Sequence, residues 1–92
     1  MLSEQEARLL ADGFLADVAA RLDQELAVQS TFDHGPVWIF GWNAKEFVDH
    51  PDKFWTALVG NGAIVVEKAT AAVWMAESNR PIDEQLVERN LQ

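Results

Sequence analysis

Residues 37–43 read Val-Trp-Ile-Phe-Gly-Trp-Asn, and this stretch decides the fold. Side chains alternate across a β-strand, so a strand here has two apolar faces. One face carries Trp38, Phe40 and Trp42, and the other carries Val37, Ile39 and Gly41. A strand that is apolar on both faces belongs in the centre of a sheet. We therefore expect this strand to have neighbours on both sides.

The residues before this strand predict a hairpin. His34-Gly35-Pro36 indicates a turn, because Gly adopts positive φ easily and Pro ends the turn. Residues 26–33 alternate in polarity, which predicts a half-buried strand. The residues expected on one face of that strand are Leu26, Val28, Ser30 and Phe32.

Residues 3–24 predict a long helix. Ser3 and Glu6 have the spacing of a capping box, in which each side chain bonds the other residue's backbone N–H. Apolar residues then recur every three or four positions and form one stripe, which should pack across a sheet face. The stripe consists of Ala7, Ala11, Phe14, Leu15, Val18 and Leu22.

The second half of the chain predicts a second hairpin. Residues 44–59 mix charged and apolar residues, and we expect an irregular connection with a helical turn beginning near Asp52. Gly60-Asn61-Gly62 indicates a turn. Residues 63–68 and 72–77 predict two strands, and Pro81 suits the first turn of a closing helix.

The order of elements is therefore helix, two strands, a long connection, two strands and helix. It predicts one α+β domain over residues 1–92. A long N-terminal helix packs on a four-stranded antiparallel sheet made of two hairpins, and a short C-terminal helix follows. Ninety-two residues leave no room for a second core.

The charge of the chain is strongly negative. Fifteen Asp and Glu against seven Lys and Arg give a net charge of −8. Such a surface repels phosphate backbones and anionic lipid, so we expect neither a nucleic-acid nor a membrane partner. A basic protein would meet it faster, although excess acid also serves solubility alone.

The compartment is expected to be cytoplasmic. The acidic start of the chain lacks the basic region and apolar core of a secretory signal. No apolar run approaches the roughly 18 residues of a membrane span. The chain has no Cys, which suits a reducing compartment.

The sequence shows no recognisable catalytic constellation. It has no Cys or Tyr, and Gly60-Asn61-Gly62 lacks the Lys and the glycine spacing of a phosphate-binding loop. His34 and His50 lie far apart in predicted turns, whereas a zinc site needs three or four converging ligands. We expect no enzymatic activity, no cofactor and no metal.

The four Trp residues are the unusual feature of the composition. Trp fills protein cores and is also the commonest binding hot spot. One helix covers one sheet face, so aromatic residues on the other face form an interface unless the long connection covers them. The candidate protein-binding residues are Trp38, Trp42, Trp55 and Trp74, together with the acidic residues Asp49 and Asp52.

Three segments of the chain carry a family resemblance. They are residues 35–43, 57–66 and 80–82, and Leu58-Val59-Gly60-Asn61-Gly62 is the most specific piece. In this order they resemble the YrhB-like immunity proteins (immunity protein 35 type) of bacterial polymorphic toxin systems. Two positions depart from that family's pattern. Ala63 stands where Pro is usual, and residues 69–72 replace a Thr-Gly turn.

The resemblance implies a cytoplasmic, non-enzymatic protein that protects its producer by binding a cognate toxin, and the net charge of −8 favours a toxin with a basic surface. The residues alone support only an acidic, aromatic-rich binding domain. They leave open a small housekeeping module, protein-binding or holdase-like, that self-associates through an aromatic sheet face, for example as a homodimer.

Overall fold

The computed structural model describes residues 1–91 and has the predicted α+β architecture. The elements are helix α1 (Glu4–Leu22), strands β1 (Leu26–His34) and β2 (Val37–Ala44), helix α2 (Lys45–Asp49), a 3₁₀ turn (Phe54–Thr56), strands β3 (Ile64–Glu67) and β4 (Val73–Met75), and helix α3 (Ile82–Glu88). The strands form one antiparallel sheet in the order β1-β2-β3-β4. The long first helix, the four strands and the short last helix are confirmed.

Helix α1 begins with the predicted capping box. The Ser3 hydroxyl accepts a hydrogen bond from the Glu6 N–H at 3.2 Å, and the Glu6 carboxylate accepts one from the Ser3 N–H at 3.0 Å. The buried stripe is Ala7, Ala11, Leu15 and Val18. Leu22, predicted to continue that stripe, is half exposed because the helix ends there. Within residues 1–91, no helix combines the length and apolar character needed to cross a bilayer.

The sheet lies between two layers of helix. The β2 face with Trp38, Phe40 and Trp42 packs against α1. The opposite face of the sheet forms a second cluster with α3, made of Val37, Ile39, Val65, Ala76 and Leu86. Both faces of β2 are therefore covered, and the predicted central position of this strand is confirmed.

Strand β1 departs from its predicted pattern. Its pairing with β2 shifts register between Val28 and Ser30, so Gln29 is the extra residue of a β-bulge. Val28 lies opposite Trp42 on the α1 side, whereas Phe32 lies opposite Ile39 on the α3 side. The prediction that Val28 and Phe32 share a face is wrong, because the extra residue reverses the alternation.

The connection between β2 and β3 is more regular than expected. Helix α2 begins at Lys45, directly after β2, where an irregular segment was predicted. An ion pair of 2.6 Å between Lys45 and Asp49 joins its two ends. The helical turn predicted near Asp52 corresponds to the 3₁₀ turn, which begins at Phe54.

Candidate protein-binding surface

An exposed aromatic pair marks the connection between α2 and β3. Phe54 and Trp55 are 75% and 69% exposed, and their ring centroids lie 5.4 Å apart at an interplanar angle of 78°. This edge-to-face arrangement is favourable for aromatic rings. Val59, in the same connection, is also exposed. Adjacent large apolar side chains on a surface are typical of an interaction site.

The backbone that carries the pair is fixed to the sheet by Asn43. The Asn43 side chain is buried, and its Oδ1 accepts a hydrogen bond from the Leu58 N–H at 2.7 Å. Its Nδ2 donates to the Leu58 carbonyl at 3.2 Å. On the other side of the pair, the Thr56 hydroxyl donates to the Lys53 carbonyl at 2.7 Å. A binding segment held in this way loses less conformational freedom when a partner docks.

An acidic cleft lies beside the aromatic pair. It has a volume of about 230 Å³ and is lined by Gln24, Glu25, Ala44, Glu46 and Thr56. Two of these residues carry a carboxylate, and Thr56 directly follows Trp55. The cleft therefore carries two carboxylates close in sequence to the aromatic pair, and one of them, Glu46, already has Lys53 as an ion-pair partner.

The predicted acidic residues of the connection differ in their partners. Asp49 is paired with Lys45, and this hydrogen bond raises the pKa of the Lys45 ammonium. Lys53 lies 3.3 Å from Glu46. Asp52 is exposed and makes none of the ion pairs found within residues 1–91. Among the acids of this connection, Asp52 is therefore the one that a partner can reach without breaking an ion pair.

The structure places Trp42 and Trp38 beneath α1. Trp42 is buried, and its indole N–H donates to the Gly62 carbonyl at 2.7 Å. Trp38 is half-buried, donates to the Leu2 carbonyl at 3.1 Å, and has the Lys68 ammonium 4.5 Å from its ring centroid. Both indoles therefore take part in internal packing.

Trp74 lies on the opposite side of the sheet. Its indole N–H donates to a Glu67 carboxylate oxygen at 3.0 Å, and the Arg89 guanidinium lies 3.7 Å from its ring centroid. The structure thus brings only Trp55, Asp49 and Asp52 of the predicted residues onto one connection.

Three residues of the candidate surface were absent from the predicted set. Phe54 had a signal in the sequence, since it is adjacent to Trp55. Glu25 and Glu46 had none, because they come together only when α2 folds back beside the start of β1. We define the candidate surface as Phe54 and Trp55, the cleft carboxylates Glu25 and Glu46, and Asp52.

The two His residues occupy different surroundings. His34 Nε2 lies 3.5 Å from Asp83, and His50 is exposed at the end of α2. Across the described part of the chain, no three His, Asp or Glu side chains are grouped closely enough to hold a metal ion.

No family model matches the sequence, and neither a curated protein nor a solved structure matches it at a significant level.

Proposed function

We propose that this chain is a non-enzymatic immunity protein that binds a cognate bacterial toxin and blocks its action. The observation that carries the proposal is the exposed Phe54–Trp55 pair beside the acidic cleft. Trp residues that become buried in a complex are typical hot spots of protein interfaces. The sequence resemblance to YrhB-like immunity proteins supports the same function.

The surface suits a basic partner with an apolar pocket. In the proposed complex, the aromatic pair enters the pocket, and the cleft formed by Glu25 and Glu46 receives a Lys or Arg of the toxin. The net charge of −8 accelerates the encounter with a basic surface. Blocking an active site requires only affinity and shape complementarity, so the protein needs no catalytic group.

The proposed function includes a cytoplasmic location, because a toxin that acts inside the producing cell must be neutralised there. Co-expression tests the proposal. This chain is produced together with the product of an adjacent gene that encodes a toxin-like protein, and surviving cells are counted. We expect survival with the wild-type chain and its loss with Trp55→Ala.

Leu9→Ala is the matched control, since Leu9 on α1 is as exposed as Trp55, at 69%. We expect Leu9→Ala to protect fully. Circular dichroism must show that both variants are folded. Continued killing in the presence of abundant, folded wild-type protein contradicts the proposal.

A self-associating housekeeping module is the second candidate function. The observation in its favour is Phe32, which is 60% exposed on β1 at the edge of the sheet. This candidate replaces the first if the neighbouring gene product is not toxic. Self-association by itself does not distinguish the two, because an immunity protein can also form a dimer.

A further inference from the structure

Strand β1 is an open edge of the sheet that contains neither Lys nor Pro, and its β-bulge lies at Gln29, away from its C-terminal half. The strand order leaves its outer side without a neighbouring strand in the described structure. Proteins commonly protect such edges with Lys or Pro. Residues 26–34 contain neither, and Asp33 is their one acidic residue. The Asp33 carboxylate is paired with Lys68 of the same molecule.

Thr31 and Asp33 carry outward-facing backbone groups in the C-terminal half of this edge. His34 and Val37 close a two-residue hairpin turn in which Gly35 has a φ of 61°. The closing pair of such a hairpin is hydrogen-bonded, and bonded and non-bonded pairs then alternate along the strands. The N–H and C=O groups of Thr31 and Asp33 consequently point away from β2.

The side chain between these two residues is the exposed Phe32. The bulge at Gln29 places it on the α3 side of the sheet, where it is 60% exposed. A second strand added to this edge would therefore gain both backbone hydrogen bonds and a large aromatic contact.

We propose that a second copy of this chain adds to this edge, with the two β1 strands antiparallel and a two-fold axis at Phe32. Thr31 of each copy then faces Asp33 of the other, and each such pair exchanges two backbone hydrogen bonds. The two Phe32 rings face each other across the axis and bury each other, as aromatic cross-strand pairs do. The two four-stranded sheets become one continuous sheet.

The charge of the edge favours a second copy over a basic toxin. Most of the net charge of −8 lies outside β1, and the single acid of the strand already has Lys68 as partner. A basic protein is attracted to the acidic surfaces elsewhere on the molecule. In the proposed register Asp33 faces Thr31 and not Asp33, so the two carboxylates are not directly opposed.

The dimer leaves the candidate toxin-binding surface free. The stretch from Leu26 to Phe32 spans about 20 Å at the rise of a strand, and the acidic cleft lies beyond its far end, at Glu25. Loss of the dimer is therefore distinguishable from loss of toxin neutralisation.

Sedimentation velocity over a range of concentrations tests the dimer. We expect a monomer–dimer equilibrium with a dissociation constant at or below about 1 mM. Because both copies are acidic, dimerisation should strengthen as salt is added. A complex with a basic toxin should weaken under the same change.

Phe32→Lys is the decisive variant. It lowers the net negative charge and so lowers the general repulsion between copies, yet it places two ammonium groups opposite each other at the axis. We expect the dissociation constant to rise about tenfold or more. Leu9→Lys makes the same change of charge at an exposed apolar residue of α1 and should not weaken dimerisation.

Amide hydrogen exchange gives a second measurement on the wild-type chain. The Thr31 and Asp33 amides should become better protected as the protein concentration rises. A monomer at millimolar concentration in high salt overturns the proposal. So does a dimer that Phe32→Lys leaves intact, or one in which these two amides stay unprotected.

Discussion

At the scale of single residues, Asn43 determines where the aromatic pair is held. Its side chain bonds both backbone polar groups of Leu58 and the N–H of Ala44. We expect Asn43→Ala to lower the free energy of unfolding by about 2 kcal/mol, because it leaves partly buried backbone groups without partners. Urea denaturation measures the loss.

Asn61→Ala is the comparison, since within residues 1–91 the Asn61 side chain makes a single hydrogen bond, to the Trp42 carbonyl. We expect Asn61→Ala to cost less than Asn43→Ala. Equal losses in the two variants would show that the bonds to Leu58 do not stabilise the fold.

Ser3 caps α1, and its contribution is measurable. Ser3→Ala removes the acceptor for the Glu6 N–H. We expect the free energy of unfolding to fall by about 1 kcal/mol, as for other N-cap substitutions to Ala. Urea melts of the two proteins should show different midpoints, and coincident midpoints would contradict a stabilising cap.

Glu6 makes the stability of the protein depend on pH. The hydrogen bond from the Ser3 N–H, with a further bond from its side chain, holds the pKa of the Glu6 carboxyl below its usual value. A lowered folded-state pKa stabilises the protein above the ordinary Glu pKa of about 4.3, and this stabilisation disappears as the pH falls through the lower, folded value. We expect the free energy of unfolding of Glu6→Gln to fall less than that of the wild type as the pH drops below the ordinary Glu pKa, because Gln does not titrate.

Glu4→Gln is the control for this pH series. Glu4 is also in the first turn of α1 but makes no hydrogen bond to Ser3. Urea melts at several pH values between neutral and about pH 3 measure the effect. If Glu6→Gln and wild type lose equal stability over this range, the capping box is not the cause.

At the scale of elements, the connection between β2 and β3 carries one residue expected to affect the association rate of the proposed complex and another expected to affect its dissociation rate. Asp52 is exposed and unpaired among residues 1–91, so under the proposed function Asp52→Asn should slow association with a basic toxin and weaken the salt dependence of the rate. Trp55→Ala should instead speed dissociation, with a loss of about 2 kcal/mol or more in binding free energy. Surface plasmon resonance with the toxin resolves the two rates.

Asp17→Asn on α1 is the control for charge, because Asp17 is exposed on a different face. Asp49→Asn is less informative, since it also leaves Lys45 without its partner. An association rate that changes equally in Asp17→Asn and Asp52→Asn would mean that net charge acts without a specific surface.

The alternation of apolar and polar residues predicted where the strands lie, but it did not predict the β-bulge in β1 or the short helix α2. The alternation in β2 predicted both of its faces, because the extra residue of the bulge lies in β1 and each residue from Val37 to Trp42 has one partner there. The bulge at Gln29 had no sequence signal, since pairing with β2 creates it. Helix α2 was missed because five residues of mixed polarity show no helical period, and its ends are joined by the Lys45–Asp49 pair.

At the scale of the whole molecule, the architecture followed from the sequence but the exposure of the Trp residues did not. Trp42 is buried because α1 covers its sheet face and Gly62, twenty positions away in sequence, accepts its indole N–H. Trp74 contacts Arg89 from the segment after α3. Such long-range contacts leave no local pattern in the sequence. The three-dimensional structure was therefore needed to show which of the four Trp residues, Trp55, is exposed.

Metal ions should not stabilise the fold. We expect the melting temperature to stay unchanged when zinc is added, because a ligand that binds only the native state must raise it. Differential scanning fluorimetry with and without zinc measures this. A rise of several degrees, abolished by His34→Ala or His50→Ala, would contradict the prediction.

The two-sided covering of the sheet has a consequence for the order of events during synthesis. Helix α1 is made before the strands, but α3 leaves the ribosome only after all four strands. Until then the face with Val37, Ile39 and Val65 has no cover. A nascent chain at that stage exposes an apolar sheet face together with the open β1 edge, a combination that promotes aggregation. The short α3 therefore shields the newly made protein from its neighbours, and chains cut short before Ile82 should be the form that molecular chaperones retain.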